Sequence, residues 1–194
     1  MPNPRSLAAA LLALALGAAS AQVPQAEIDA LHEALGAPDK GASAARQRLA
    51  VKRVVRDGTK LLETHPDAAN RFEVLDVLFR AQQRLFSLDD SARNREALLE
   101  TGKRLAAAPD EYAGLRLDAD LLLTQTEAAR NGGDSAARLA ALMPMVARYR
   151  DTPAEARMLQ VAMLMALESG DPKVIRDLRA QMAERYGDGQ LDVW

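Results

Sequence analysis

The segment GTKLLETHPD at residues 58–67 decides the fold, because it recurs as GKRLAAAPD at residues 102–110 and more loosely as VARYRDTP at residues 146–153. The prolines that mark the three copies are 43 and 44 residues apart. Tight turns alternate with these copies at a similar period, at residues 89–90, 133–134 and 170–171. Each repeat unit is therefore predicted to be a helix, a tight turn, a second helix and a Pro-marked turn. One hairpin cannot bury its apolar face alone, so we expect neighbouring hairpins to stack.

Apolar residues recur at spacings of three and four outward from these copies, which is the period of the α-helix. Around the first copy, for example, Val51, Val54, Leu61 and Leu62 share one face. No segment alternates in the manner of a strand, and β-branched residues are scarce. The sequence therefore predicts an all-α fold of stacked antiparallel helical hairpins. The predicted helices cover residues 25–35, 45–64, 70–86, 92–107, 111–130, 135–149, 154–169 and 172–186.

Cap sequences separate these helices. The sequence TPAE at residues 152–155 matches a capping box with Pro at the first helical position. Asp110, Asp134 and Asp171 each precede a predicted helix and are expected to act as N-caps. Ser169-Gly170 is expected to end the helix before it.

Two glycines, Gly58 and Gly102, lie on the apolar faces of equivalent helices in the first two copies. A glycine inside a helix costs about 1 kcal/mol relative to Ala. We therefore expect both to mark close approaches between helices, at which a side chain would not fit.

The hairpin pattern resembles tetratricopeptide-type repeats over residues 45–186, with a longer period and without the Trp, Gly and Tyr signature of that family. The resemblance implies a TPR-like α-solenoid that binds a protein or peptide partner. A second resemblance involves residues 61–75 and 108–112, which look like the helical amino-terminal region of some exported redoxin proteins. In those proteins a thioredoxin-fold domain follows. This resemblance implies that the chain is the helical appendage of a redox protein, or that it recruits one.

The first 21 residues match a secretory signal peptide. Arg5 supplies the positive charge, residues 7–17 form a short apolar core, and Ala19-Ser20-Ala21 fits a cleavage site before Gln22. The alternative is an uncleaved anchor or a buried amino-terminal helix. The apolar core is short for a membrane span. We therefore expect a periplasmic or extracellular protein without stable membrane insertion after cleavage.

The predicted organisation is a signal peptide at 1–21, a short helix and linker at 22–43, the repeat domain at 44–186 and a tail at 187–194. Two interpretations of the tail stay open. Either Trp194 packs back on the last helix, or the final residues begin a further segment.

The composition excludes several kinds of chemistry. The chain has no Cys, which excludes thiol catalysis, Cys-based zinc sites and iron–sulfur clusters. Charged residues make up 27% of the chain and nearly balance, with a net charge of −2, so nothing draws the whole protein to nucleic acid. Neither a Gly-rich phosphate loop nor a G-x-S-x-G nucleophile elbow occurs. We expect a protein that is not an enzyme and has no cofactor.

The candidate acid–base groups are few. His32 and His65 have no partner at ligand spacing, and His65 is placed where its ring would cap a helix end. Asp118 and Asp120 are two apart on a helix and therefore point in different directions.

A second carboxylate pair, Glu73 and Asp76, is followed by Arg80 four residues after Asp76. This spacing predicts a solvated ladder of ion pairs.

The methionines cluster in the last third of the chain. Met143-Pro144-Met145 and Met163-Leu164-Met165 form two M-x-M elements. Core packing is the favoured interpretation, because Met fills irregular gaps and residues two apart on a helix face different ways. An adaptable partner groove and a Cu(I) site built from thioethers are the alternatives.

The densest basic patch comprises Arg46, Arg48, Lys52, Arg53 and Arg56. It has no interleaved aromatic residues for base stacking. A solvated face is the default interpretation, and an acidic partner surface is the sharper alternative.

These observations favour a non-catalytic, exported interaction or scaffold module whose partner is a protein or peptide. The helical appendage of a thioredoxin-fold redox protein is the alternative. The residues expected in the core are Leu75, Leu78, Leu105, Leu122, Met158, Leu164 and Leu178.

Overall fold

The computed structural model describes residues 22–36 and 41–187. Within these ranges the chain forms eight α-helices and one short 3₁₀ turn, and no β-strand. The helices are α1 (Gln25–Gly36), α2 (Ala44–Thr64), α3 (Arg71–Leu88), α4 (Ala92–Ala106), α5 (Ala113–Arg130), α6 (Ser135–Arg148), α7 (Glu155–Ser169) and α8 (Pro172–Tyr186). The 3₁₀ turn, Asp110–Tyr112, leads directly into α5. The predicted all-α class is confirmed, and the predicted helix ends agree with these to within about two residues.

Side-chain caps mark the start of four of the described helices, α2, α4, α6 and α8. Asp134 accepts a hydrogen bond from the Ala137 backbone N–H, and Asp171 accepts from the N–H groups of Lys173 and Val174, as expected for N-caps. Gly170 ends α7 in the left-handed conformation, with a φ of 71°.

Two predicted caps are wrong. Asp110 binds the guanidinium of Arg116 instead of capping a helix. The capping box at residues 152–155 does not form either. Helix α7 begins at Glu155, whose carboxylate accepts from the backbone N–H of Asp151. The Thr152 hydroxyl donates to the Tyr149 carbonyl and accepts from the backbone N–H of Ala154, next to Asp151 with its positive φ of 62°.

Consecutive helices pack side by side, joined by turns of no more than six residues between α2 and α8. Helix α1 also contacts α3, and α3 contacts α5. The odd-numbered helices α1, α3 and α5 therefore lie next to one another. Hydrogen bonds fix both ends of α1: the Asn70 side chain makes two with the backbone of Val23 just before the helix, and Arg84 donates to the Leu35 carbonyl.

The buried side chains form two clusters that meet at α5. The first contains residues of α1 to α5, and the second contains residues of α5 to α8. Buried residues recur one turn apart in, or directly after, three helices. These are Val54, Gly58 and Leu62 in α2, Leu98, Gly102 and Leu105 in α4, and Leu142 and Val146 in α6 with Tyr149 directly after it.

Most of the predicted core is confirmed, with one error. Five residues are fully or nearly fully buried, namely Leu75, Leu78, Leu105, Met158 and Leu178, and Leu122 packs half-buried against the first cluster. Leu164 is 67% exposed. Helix α7 buries the face that carries Met158, Ala162 and Ala166, and Leu164 lies on the opposite side.

The two repeat glycines are buried between helices, but a side chain would fit. A methyl group on Gly58 would lie 3.7 Å from Leu31 and 3.8 Å from Leu78. On Gly102 it would lie 3.4 Å from the ring of Phe79. These are ordinary van der Waals distances, so the expectation that no side chain fits is wrong.

The predicted signal peptide at 1–21, part of the linker at 37–40 and the tail beyond Gly187 lie outside the described residues. Across the two described ranges, no helix combines the length and apolarity needed to cross a membrane.

Candidate functional site

A row of charged side chains crosses the odd-numbered helices, and we call it the odd-helix face. It consists of His32 on α1, Asp76 and Arg80 on α3, Asp118 on α5 and Arg157 on α7. Asp76 lies at its centre, because both His32 and Asp118 are near enough for their charges to act on its carboxyl group. Residues of four helices that are far apart in the sequence thus lie along one side of the odd-numbered helices.

Asp76 is buried, which corrects the predicted solvated ladder. Its carboxylate receives a 2.9 Å ion pair from Arg80, as the spacing of four predicts, but only 4% of its side chain is exposed. Burial raises the pKa of Asp76 above its ordinary value. The hydrogen bond and charge of Arg80 and the charge of His32 act in the opposite direction, and the charge of Asp118 adds to the increase.

At the other end of the odd-helix face, Arg157 makes two hydrogen bonds with the carboxylate of Asp118. Leu164 follows Arg157 by seven residues, which is two helical turns, so it continues the same side of α7. Leu164 and Leu167 are both exposed. On α7, the side that carries Arg157 therefore continues into two exposed leucines, Leu164 and Leu167.

The described residues also contain a buried network of hydrogen-bonded polar side chains, which the sequence did not predict. Arg116 and Asp120 on α5 are both buried, and so is Tyr149 at the end of α6. The Tyr149 hydroxyl donates to Asp120 across 2.6 Å, and Arg148 donates to the same carboxylate oxygen across 2.7 Å.

The guanidinium of Arg116 completes this network. It donates to the Ala108 carbonyl, to Asp110 and to the Tyr149 hydroxyl. Its charged group also lies 5.0 Å from the centre of the Tyr149 ring. Because these polar side chains satisfy one another's hydrogen bonds, the network holds the α4–α5 turn, α5 and the end of α6 together.

Only one sequence signal pointed towards this network. Asp118 and Asp120 do point in different directions as predicted, one to Arg157 and the other to Tyr149. Tyr149 is fully buried. Nothing local to α5 indicates that Asp120 meets a residue 29 positions later.

The histidines lie apart from each other. His32 is exposed on α1, and His65 is half-buried at the end of α2. The backbone N–H of His65 donates to the Leu61 carbonyl, so the main chain provides the cap expected of the ring. Within residues 22–36 and 41–187, no group of three or more His, Asp or Glu side chains could hold a metal ion.

The core interpretation of the methionines is confirmed. Met145 is buried and its sulfur accepts a hydrogen bond from Thr124. Met143, Met163 and Met165 are partly buried against the second cluster. A role in binding Cu(I) or a partner stays a prediction.

The basic patch of α2 is only partly neutralised. Arg48 lies 3.6 Å from Asp89, and Arg56 pairs with Asp57 across 2.9 Å. The three other cations, Arg46, Lys52 and Arg53, are exposed and make no ion pair with any described residue. These three cations are therefore available to an acidic partner, as the alternative interpretation of the patch requires.

Comparison of the chain with protein-family models, with curated proteins and with solved structures found no match in any of the three.

Proposed function

We propose that this chain is an exported, non-catalytic binding module of stacked helical hairpins. Its partner is a protein or peptide segment that places apolar side chains on Leu164 and Leu167. Contacts between next-but-one helices support the stacked arrangement, since repeat proteins present the surface formed by such helices to their ligands.

The observation that carries the proposal is the exposed apolar pair at the end of a neutralised charged row. Asp76 is paired with Arg80, and Asp118 is paired with Arg157, so the row offers little net charge to a ligand. By contrast, the side chains of Leu164 and Leu167 are 67% and 57% exposed. Exposed apolar surface of this kind favours a partner with apolar side chains.

A photo-crosslinking amino acid at Gln160 tests this proposal, because Gln160 is one turn from Leu164 on the same side of α7. We expect a defined adduct with a partner in the native host, and its loss in a Leu164→Asp variant. The matched control is the crosslinker at Leu49, which is 55% exposed but lies on α2. An adduct that forms equally at both positions, or that survives Leu164→Asp, contradicts the proposal. The purified partner should then bind the Leu164→Asp variant more weakly than it binds the wild-type protein.

The intact mass of the protein isolated from its host tests export and the redoxin alternative together. A mass that corresponds to Gln22–Trp194 supports signal cleavage and a free module. A much larger mass supports the proposal that the chain is the helical part of a longer redox protein.

A further inference from the structure

A groove on a different side of the molecule has the features of a ligand site. It lies between α2, α3 and the start of α4 and has a volume of about 570 Å³. This volume is within the range of small ligand sites. Its apolar part is formed by Val55, Leu85 and Ala97, and its polar part includes Lys52, Gln82 and Arg93.

Gln82 is the unusual residue of this groove. It is only 7% exposed, and its Oε1 makes no hydrogen bond with any described residue. It lies one turn from each of the buried residues Leu78 and Leu85, where an apolar side chain would be expected. A buried acceptor without a donor is costly, and such groups are rare in native proteins. Gln82 therefore points to a ligand that brings an N–H or O–H donor.

The charges around Gln82 indicate the rest of the ligand. Lys52 and Arg93 line the groove and make no ion pair with any described residue. Arg93 belongs to the first turn of α4, which contains no acidic residue, so the positive end of the helix dipole adds to the two cations. The one carboxylate of the groove, Asp89, is already approached by Arg48. The groove thus carries an excess of positive charge.

We propose that this groove binds an extended acidic peptide segment. A carboxylate of the peptide lies between Lys52 and Arg93, and a backbone N–H next to it donates to Oε1 of Gln82. A peptide is favoured over nucleic acid, because each peptide unit carries an N–H beside its side chain and the described residues that line the groove include no aromatic side chain on which a base could stack. The proposal goes beyond the proposed function, because Gln82 and Asp76 lie on different faces of α3.

Titration of the full chain with a labelled hexapeptide that alternates Asp and Val tests this proposal. The control peptide carries Asn in place of each Asp. We expect Lys52→Gln, Arg93→Gln and Gln82→Leu each to weaken binding of the Asp peptide about tenfold, as loss of one charge-assisted or buried hydrogen bond does. The matched control is Arg104→Gln, an exposed arginine in the last turn of the same helix, and it should leave binding unchanged.

Gln82→Leu separates a ligand role from a structural one. Because it removes a buried acceptor without a donor, the variant should be at least as stable as the wild type while it loses affinity. Equal affinity for the Asn peptide, wild-type affinity in Gln82→Leu, or no binding at millimolar peptide each overturns the proposal. So does an oligonucleotide that displaces the peptide at a lower concentration than the peptide itself requires. None of these outcomes affects the adduct expected at Gln160, so the two proposals fail separately.

Discussion

The hydroxyl of Tyr149 donates a 2.6 Å hydrogen bond to the carboxylate of Asp120, and both side chains are buried. Tyr149 directly follows α6 and Asp120 lies within α5, so the bond joins two consecutive helices across 29 residues of sequence. Arg116 and Arg148 bind the same pair from two sides. The bond is therefore the centre of a buried polar network between α5 and the end of α6.

Removal of this hydroxyl should weaken the fold. We expect Tyr149→Phe to lower the free energy of unfolding by about 1.5–3 kcal/mol, because the hydroxyl bonds a charged carboxylate inside the protein. Urea denaturation followed by circular dichroism measures the change. The control is Tyr186→Phe, on a half-exposed residue whose hydroxyl makes no such bond, and it should change stability by less than about 0.5 kcal/mol. Equal effects of the two changes would show that the Asp120 bond contributes little.

The same hydroxyl should make the fold sensitive to alkali. Burial, and then the hydrogen bond with Asp120, raises the pKa of Tyr149 well above its ordinary value. The unfolded chain loses this proton near pH 10, while the folded chain retains it. The contribution of the group is therefore complete below about pH 10 and decreases as the pH rises further. We expect the stability difference between wild type and Tyr149→Phe to shrink between pH 9 and pH 11. A difference that grows would contradict the assigned direction.

The contribution of Asp76 to stability should change with pH in the direction opposite to that of a carboxylate in a typical exposed ion pair. Burial raises the pKa of Asp76, so the folded protein holds this proton to a higher pH than the unfolded chain does. Its contribution to stability then falls as the pH rises from about 4 through the folded pKa. Asn does not titrate. We therefore expect the stability of Asp76→Asn relative to wild type to improve between pH 4 and pH 7, measured by urea denaturation at each pH. If the stability of Asp76→Asn relative to wild type decreases over this range, the prediction is wrong.

Alanine at either repeat glycine should stabilise the protein. The methyl group of Gly58→Ala meets Leu31 and Leu78 at ordinary distances, so the gain in helix propensity of about 0.5–1 kcal/mol should be realised. Gly102→Ala should gain less, because its methyl lies closer to Phe79. Thermal denaturation measures both. As a control, Gly170→Ala should cost about 1 kcal/mol, since its φ of 71° strains any residue with a Cβ. Loss of stability in Gly58→Ala would restore the close-approach interpretation.

Two leucines that look alike in the sequence should differ in their effect on folding. Leu178→Ala removes a fully buried side chain of the second cluster and should cost about 2–5 kcal/mol. Leu164→Ala changes an exposed side chain of α7 and should cost less than about 0.5 kcal/mol. Chemical denaturation of both variants provides the measurement. A large cost for Leu164→Ala would mean that this leucine is covered in the folded protein.

The sequence alone determined the local structure of this protein. The helix period, the recurrent Pro-marked turns and caps such as Asp134 and Asp171 act over a few residues, and each predicted helix is present. The burial of Leu75, Leu105 and Leu178 also followed from the period, since a helix hides its apolar stripe against whatever packs on it.

Tertiary structure alone decided which faces meet. An apolar helix such as α7 has more than one face that its period would allow to be buried. The neighbouring helices cover the face that carries Met158 and leave Leu164 exposed. Asp76 on α3 is buried near residues of α1 and α5, and Asp120 on α5 binds Tyr149 at the end of the following helix. Gln82 sits in a groove made by three helices. Each of these contacts joins residues that are distant in the chain, so no pattern within a single helix contains the information that specifies them.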